Sequence, residues 1–375
     1  MRILRSLGAL LIALATGASA PSDELQRDAD ALHALGVPGV QARLVTGAGP
    51  DRVVTSGVAD LRTGRPVPPD GRFRIASTGK AFTAVVVLQL AGEGRLGLGD
   101  PVERWLPGVV RGNGNDGRRI TVRQLLQHTS GIQDDIPDQT TAAGFELHRY
   151  DVWTPRQLVA RAMAHPPVAG WHYANTGYLL LDLIVERVTG RAWYDEVERR
   201  IVRPLGLTAT SWSGYSPALP EPHARAYQPF EGGAPVDVTE QVVADTGSAI
   251  VSTTRDVTTF FRALFGGRLL RPAQLAEMTR TVPVAPELDA LLPGARYGLG
   301  IFQRPLPCGG MYYSHPGGWG GYLTDNGVTA DGRRGVVVSA SGVAGDDPLR
   351  QQRAADALVE GALCGAVTGR AGSGR

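Results

Sequence analysis

A chain of 375 residues, 43% hydrophobic and 20% charged, has the composition of a water-soluble globular protein and the length for one large domain or two. Its 38 basic and 36 acidic residues nearly balance, the arginines are scattered and only 6% of residues are aromatic, which argues against nucleic-acid binding. Glycine and proline are abundant without period, which excludes a fibrous architecture.

Residues 1–20 read as a signal peptide. Arg2 and Arg5 form a positive start, Leu7 to Leu14 a short apolar run, and Ala18-Ser19-Ala20 a small-residue cleavage site, cut after Ala18 or Ala20. The apolar run is too short to span a bilayer, and no second span follows. The expectation is a secreted protein without membrane attachment after cleavage. Loss of Arg2 and Arg5 would take the formal charge from +2 to zero. Cys308 and Cys364 could be buried thiols or a disulfide, and export favours the disulfide.

Along the mature chain, residues 21–36 form a helix pattern with Leu25, Ala29 and Leu32 on one face. Residues 39–47 and 52–60 alternate like two strands joined by a Gly/Pro/Asp turn. An apolar helix then carries Ser77 and Lys80 and stops at Gly92. Thr121 and Thr154-Pro155 open two more helices, and an amphipathic helix runs from Asn175 to Gly190. Further helices follow at 193–203, before Pro204, and after Ser252 up to Gly266-Gly267. Strand patterns occupy 297–303, 311–315, 321–328 and 335–341, and a helix at 349–363 precedes a polar tail, 366–375, expected to be disordered. Two early strands and four late ones around a helical middle predict an α+β fold of one domain, residues 21–365. One antiparallel sheet would be built from both chain ends and flanked by helices, with an all-helical lobe inserted at about residues 96–245. The active site would lie in the cleft between sheet and lobe.

Lys80 is the only lysine; every other basic residue counted is arginine. Arginine does not give up its proton in a protein, whereas a desolvated lysine can. No other charge lies between Ile75 and Ala91, and Ser77 precedes Lys80 by one helical turn, so the pair reads as a nucleophile beside a base. Tyr173 and Asn175, in W-H-Y-A-N-T-G-Y, could shuttle a proton and orient an amide; taken alone they read as packing and a helix cap. His315-Pro316-Gly317-Gly318 reads as a cleft-lining strand end whose glycines let a substrate backbone approach. There is no G-x-S-x-G and no H-E-x-x-H or clustered Cys/His, so neither a nucleophile elbow nor a metal site is expected. His128 reads as structural, holding the turn after its helix.

Ser77-x-x-Lys80, Tyr173-x-Asn175 and His315-x-Gly317, in that order, resemble the motifs of the penicillin-recognising serine hydrolases. These are D-Ala-D-Ala carboxypeptidases, class C β-lactamases and their esterase relatives. Flanking segments such as R-F-R-I-A-S-T-G-K, L-L-Q-H-T-S-G-I and Y-G-L-G-I agree, and the likeness is greatest to soluble, exported actinomycete-type D,D-carboxypeptidases. The resemblance implies a β-lactamase/transpeptidase-like fold and an acyl-enzyme on Ser77. Lys80 and Tyr173 would handle its proton, either of them as base; Tyr173 would protonate the leaving amine and Asn175 would hold the acyl side. The N–H groups of Ser77 and Gly318 would form the oxyanion hole beside Gly317. His315 would stand where relatives carry the lysine of K-T-G and supply positive potential. No cofactor is implied. The implied partners are peptidoglycan stem peptides or another small acyl substrate, and β-lactams as acylating inhibitors or substrates, with the protein a monomer. A non-catalytic penicillin-binding module is the rival that the full Ser77/Lys80/Tyr173/Asn175 set disfavours. Two departures concern the pocket for a terminal carboxylate: Pro316 stands where such relatives often carry threonine, and Phe302 where they place an arginine, with Arg304 two residues on. These departures raise an esterase, amidase or β-lactamase alternative.

The lysine assignment is testable by charge-conserving replacement. Lys80→Arg keeps a positive charge but cannot give up its proton to become a base, and is expected to lose acyl-enzyme formation nearly as completely as Ser77→Ala. Burst kinetics with a chromogenic ester measure this, and an active Lys80→Arg protein would contradict the base role.

Overall fold

The strand Gly335–Ala340 is buried along its whole length, which places it in the middle of the molecule. Val336, Val338 and Ala340 pack to one side of it and Val337 to the other, as alternation in a two-sided sheet requires. The computed structural model describes residues 21–243, 247–345 and 347–365; the expected signal peptide and C-terminal tail lie outside the described residues.

The central sheet has nine strands, paired antiparallel throughout. They are β1 (Gly39–Val45), β2 (Arg52–Gly57), β3 (Val282–Pro283), β4 (Arg296–Tyr297), β5 (Phe302–Pro305), β6 (Met311–Ser314), β7 (Gly317–Trp319), β8 (Tyr322–Thr329) and β9 (Gly335–Ala340). Their order is β3-β4-β5-β6-β8-β9-β1-β2, with β7 paired to β8. The early strands therefore join the late ones through β1 against β9, where Val40 faces Ala340.

Helices α1 (Pro21–His33) and α6 (Pro348–Cys364) cover one face of the sheet through Leu25, Ala29, Leu32, Ala355, Leu358 and Val359. Helix α4 (Thr254–Phe265) covers the other with Val257, Phe260, Phe261 and Leu264. Helix α2 (Gly79–Gly92) is buried almost all round, and its Phe82 ring stacks on Phe260 at 3.8 Å. Each such fully buried apolar side chain contributes about 1.5–3 kcal/mol. Cys308 and Cys364 form the disulfide, with a Cα–Cα separation of 5.8 Å, tying the β5–β6 turn to the last residue of α6. Closing a loop of this length constrains the unfolded chain by about 4 kcal/mol.

The inserted lobe is mainly helical, with α3 (Asn175–Thr189) its longest element and α5 (Pro286–Leu291) lying later in the chain at the cleft. Thr121 and Thr154 cap their helices as expected, each through a capping box. Two small ribbons also occur in the expected all-helical stretch, Arg111–Gly112 with Asn115–Asp116 and Tyr227–Pro229 with Pro235–Asp237. The first turns on Asn113 and Gly114, both at positive φ (50° and 91°), the pair a two-residue hairpin needs. The expected strand 297–303 is instead β4 and β5 joined by a tight turn. A side chain at Gly298 would collide with the Met278 carbonyl, and one at Gly300 (φ 75°) with Ala84, so Gly300 lets the turn press onto α2, the helix that carries Lys80.

Candidate active site

The site starts from a strained turn. A two-residue strand, Phe73–Arg74, ends in a 3-10 turn, Ala76–Thr78, that leads directly into α2. Ala76 has φ 48°, a left-handed conformation that costs a non-glycine residue about 1–2 kcal/mol. Buried Arg74 holds the turn's approach by donating to the carbonyls of Thr239 (2.7 Å), Pro217 (2.7 Å) and Gln241 (3.0 Å). The turn leaves Ser77 half-buried at the helix entrance and Lys80 in the first helical turn. Lys80 is 1% exposed, and its Nζ donates to Ser77 Oγ at 3.2 Å and to Asn175 Oδ1 at 2.7 Å. A hydroxyl against a desolvated amine is an arrangement for nucleophilic attack with proton transfer.

Asn175 opens α3, and it does not cap that helix with its side chain. The cap comes from Asp134, whose carboxylate accepts from Asn175 N (2.9 Å), Asn175 Nδ2 (3.0 Å), Thr176 N (2.7 Å) and Thr176 Oγ1 (2.7 Å). Because Asp134 takes the Asn175 amide hydrogens, Oδ1 is turned to Lys80. The Tyr173 ring also faces the amine, 5.1 Å from Nζ to its centroid. His128 is structural as expected, but in a particular way. It holds φ 58°, accepts the Ala174 N–H on Nδ1 at 3.2 Å, and sets its ring 4.3 Å from that of Tyr173. Burial, with the Lys80 charge as a lesser cause, holds its imidazole well below the ordinary range, so it is neutral.

His315 reaches the site but does not supply positive potential there, contrary to the expectation. It is fully enclosed, and burial together with the Lys80 charge lowers its pKa to about 3. Its Nδ1 lies 2.8 Å from the Pro316 carbonyl, which only accepts, so Nδ1 carries the hydrogen and Nε2 accepts from the Tyr297 hydroxyl at 3.0 Å. Gly317 has a steric reason: a Cβ there would fall 2.2 Å from Ile75 O and 3.1 Å from Ser77 N. Only glycine lets β7 run against the nucleophile turn. A Cβ on Gly318 would meet nothing closer than Leu323 Cδ1 at 3.9 Å, so this position faces the open cleft.

Phe302 lines the cleft beside Ser77, its ring against Tyr297 and His315. Arg304 does not, which corrects its expected substrate-binding place. Two residues further along β5 it lies under α6, 3% exposed, paired with Asp356 at 2.6 Å and Glu360 at 3.4 Å. A cavity of about 550 Å³ holds Ser77, Trp171, Tyr173, Phe302 and His315, with Leu288 and Leu291 of α5. A second, of about 870 Å³, runs from Asp134 past Gly318 and Trp319, and the two share Leu291, Gly318, Leu323 and Gln352. Asp134, Asp135, Asp138 and Glu287 line them, and no arginine or lysine does among the described residues. Asp134, Trp171 and α5 were missed in the sequence, where they sit in aperiodic or short segments without a signal of their own.

Neutral His315 has a consequence for stability. Its folded pKa lies below the unfolded value, so as pH falls from about 6.5 towards 3 the unfolded chain takes up the proton first and the folded state loses stability. His315→Gln is expected to flatten this part of a melting-temperature profile relative to wild type. Equal slopes in the two proteins would show His315 to be solvated and titrating normally.

This geometry has counterparts among known proteins. The beta-lactamase family model matches residues 25–360. Penicillin-binding protein 4* of Bacillus subtilis is 29% identical over 286 residues, 72% of this chain and 60% of its own length. Protein flp of Staphylococcus aureus is 34% identical over 144 residues, 38% of this chain and 28% of its own length, so the chain spans less than two thirds of either relative. Among solved structures, a D-stereospecific amidohydrolase from Streptomyces sp. superposes with a TM-score of 0.82 at 41% identity, covering 92% of this chain and 99% of that one. The D-amino acid amidase from Ochrobactrum anthropi SV3 gives 0.77 at 26% identity, covering 92% and 98%. With the nucleophile turn, the buried lysine and this coverage together, the chain belongs to the beta-lactamase family and is a serine hydrolase of the β-lactamase/transpeptidase-like fold.

Proposed function

We propose that this protein is an exported serine amidohydrolase that cleaves amides and short peptides of D-amino acids through an acyl-enzyme on Ser77. The observation that carries this reading is the charge of the cleft. Its lining holds four carboxylates, a neutral His315 with two further histidines, His165 and His172, and no arginine or lysine among the described residues. A substrate's terminal carboxylate finds no arginine or lysine on these walls among the described residues, and a neutral or amine-bearing substrate has no need of one. The carboxypeptidase reading that the motifs first suggest needs a cation at this place. Arg304 is committed to Asp356 and Glu360, and Pro316 offers neither hydroxyl nor N–H. Likeness to the D-stereospecific amidohydrolase, over nearly the full length of both chains, supports the choice of substrate and its configuration. The family and the Bacillus relative support β-lactams as acylating ligands. The N-terminal pattern supports secretion, and the disulfide agrees with it.

In this reading Ser77 Oγ attacks the amide carbonyl while its proton passes to Lys80 or Tyr173. The carbonyl oxygen takes the negative charge between the Ser77 and Gly318 N–H groups, where preorganised donors act most strongly. Collapse breaks the C–N bond, the amine leaves with the proton delivered by Tyr173, and an ester on Ser77 remains. Water, activated by the same pair, then releases the acid and restores the hydroxyl.

The deciding experiment compares ammonia release from D- and L-phenylalanine amide with D-alanine release from diacyl-Lys-D-Ala-D-Ala, using Ser77→Ala as control. The expected result is Ser77-dependent hydrolysis of the D-amide, at least about tenfold faster than of its L form and of the peptide. Faster D-alanine release would restore the carboxypeptidase reading.

A further inference from the structure

The ladder between β6–β7 and β8 has a gap at the active site. Tyr312 pairs with Thr329 and Tyr313 with Val328; pairing then resumes only at Gly317 with Thr324 and Gly318 with Leu323. The register is the same on both sides of the gap, so His315 still lies opposite Asn326. On its other edge β8 is continuous, and Asp325, Asn326 and Gly327 all pair with β9. Residues 314–316 are therefore held away from β8 without losing step.

The side chain of Asn326 fills the gap. Its Oδ1 accepts the His315 N–H at 3.0 Å, and its Nδ2 donates to the His315 carbonyl at 2.7 Å. A side-chain amide thus takes both bonds that a paired strand residue would offer. The main-chain N–H of Asn326 turns back to Asp325 Oδ1 at 2.8 Å, and Pro316 has no N–H to satisfy. Beside it Thr78, the residue after the nucleophile, donates its hydroxyl to the same His315 carbonyl at 2.8 Å and accepts from Asn326 Nδ2 at 3.4 Å. Asn326 and Thr78 are both fully buried. One carbonyl is thereby gripped by β8 and by the nucleophile turn at once, immediately before Gly317 meets Ile75.

We propose that Asn326 and Thr78 form a positioning clamp: the amide of Asn326 spaces the His315–Gly318 segment off β8, and the Thr78 hydroxyl locks it to the Ser77 turn, fixing the distance between the nucleophile and the Gly318 N–H. The clamp touches no substrate. It acts on the oxyanion, which exists only in the transition state, so its loss lowers kcat and kcat/KM together and leaves KM in place. It rests on the serine-hydrolase chemistry and does not depend on which amide is cut.

The test uses the whole protein and a p-nitrophenyl ester. Asn326→Leu keeps the volume but removes both the donor to the His315 carbonyl and the acceptor for its N–H, and Thr78→Val keeps the shape without the hydroxyl. Each is expected to lower kcat by about 10- to 100-fold at unchanged KM, less than or equal to the loss of a whole oxyanion donor. Thr78→Ser is expected to recover most of what Thr78→Val loses. The double variant should lose less than the product of the single effects, because both groups hold one carbonyl. Thermal melting and circular dichroism report the folded fraction. If Asn326→Leu does not fold, Thr78→Val with its serine rescue decides. A kcat within twofold of wild type in the folded variants, a change in KM alone, or a loss that merely follows the folded fraction would overturn the clamp.

Discussion

Four donors from the start of α3 converge on the carboxylate of Asp134, and the chemistry of the cleft depends on that convergence. A helix N-terminus presents unpaired N–H groups and a positive dipole end, so a carboxylate there is favourable on both counts. The same carboxylate takes both an N–H and the side-chain NH2 of Asn175, which leaves the Asn175 carbonyl no direction but toward Lys80. Lys80 is then held between Asn175 and Ser77. A single helix cap thereby fixes the orientation of an amide, an amine and a hydroxyl in series, drawn from the lobe and the sheet domain.

The second requirement is closeness. Strand β7 and the segment at Gly247 both pass within contact of the Ser77 turn and the start of α2, and two glycines and one strained residue make this possible. Gly317 removes the Cβ that would strike Ile75, and Gly79 removes one that would strike the Gly247 carbonyl, while Ala76 accepts a left-handed φ so that Ser77 projects from the helix entrance. Burial follows from the same closeness. His315 is enclosed by Tyr297, Phe302 and the strand itself, and enclosure next to Lys80 keeps it uncharged. Cleft walls without arginine or lysine among the described residues are the electrostatic outcome, and this bears on which substrates are held.

The sequence made much of this legible where chemistry or period is local. A lone lysine in an apolar helix, one turn after a serine, pointed to the Ser77–Lys80 pair that the structure brings into hydrogen bond. Strand alternation at both chain ends gave the antiparallel sheet, and Thr121 and Thr154 marked their helices. What escaped depends on distant partners. Asp134 lies 41 residues before the amide it orients, in a stretch without period. The charge of His315 follows from burial that no residue type announces. Arg304 has the spacing of a substrate contact, yet its place two residues further along β5 puts it under α6, where Asp356 and Glu360 take it. The 298–301 turn read as strand because its apolar residues alternate with glycines, and the glycines were the informative part. The Asn113-Gly114 turn carries its own local signal, an Asn-Gly pair suited to a two-residue hairpin.

The most direct measurement of the Asp134–Asn175–Lys80–Ser77 series is the acylation rate of Asp134→Asn with a chromogenic ester, taken beside its melting curve. An asparagine there has one acceptor oxygen for four donors, and its own amide hydrogens oppose those of Asn175, so Asn175 turns over and presents hydrogens to Lys80. The expected result is a folded protein whose acylation is slower by about 10- to 100-fold. Acylation at the wild-type rate would mean that Lys80 finds its place without Asn175, and would contradict the account.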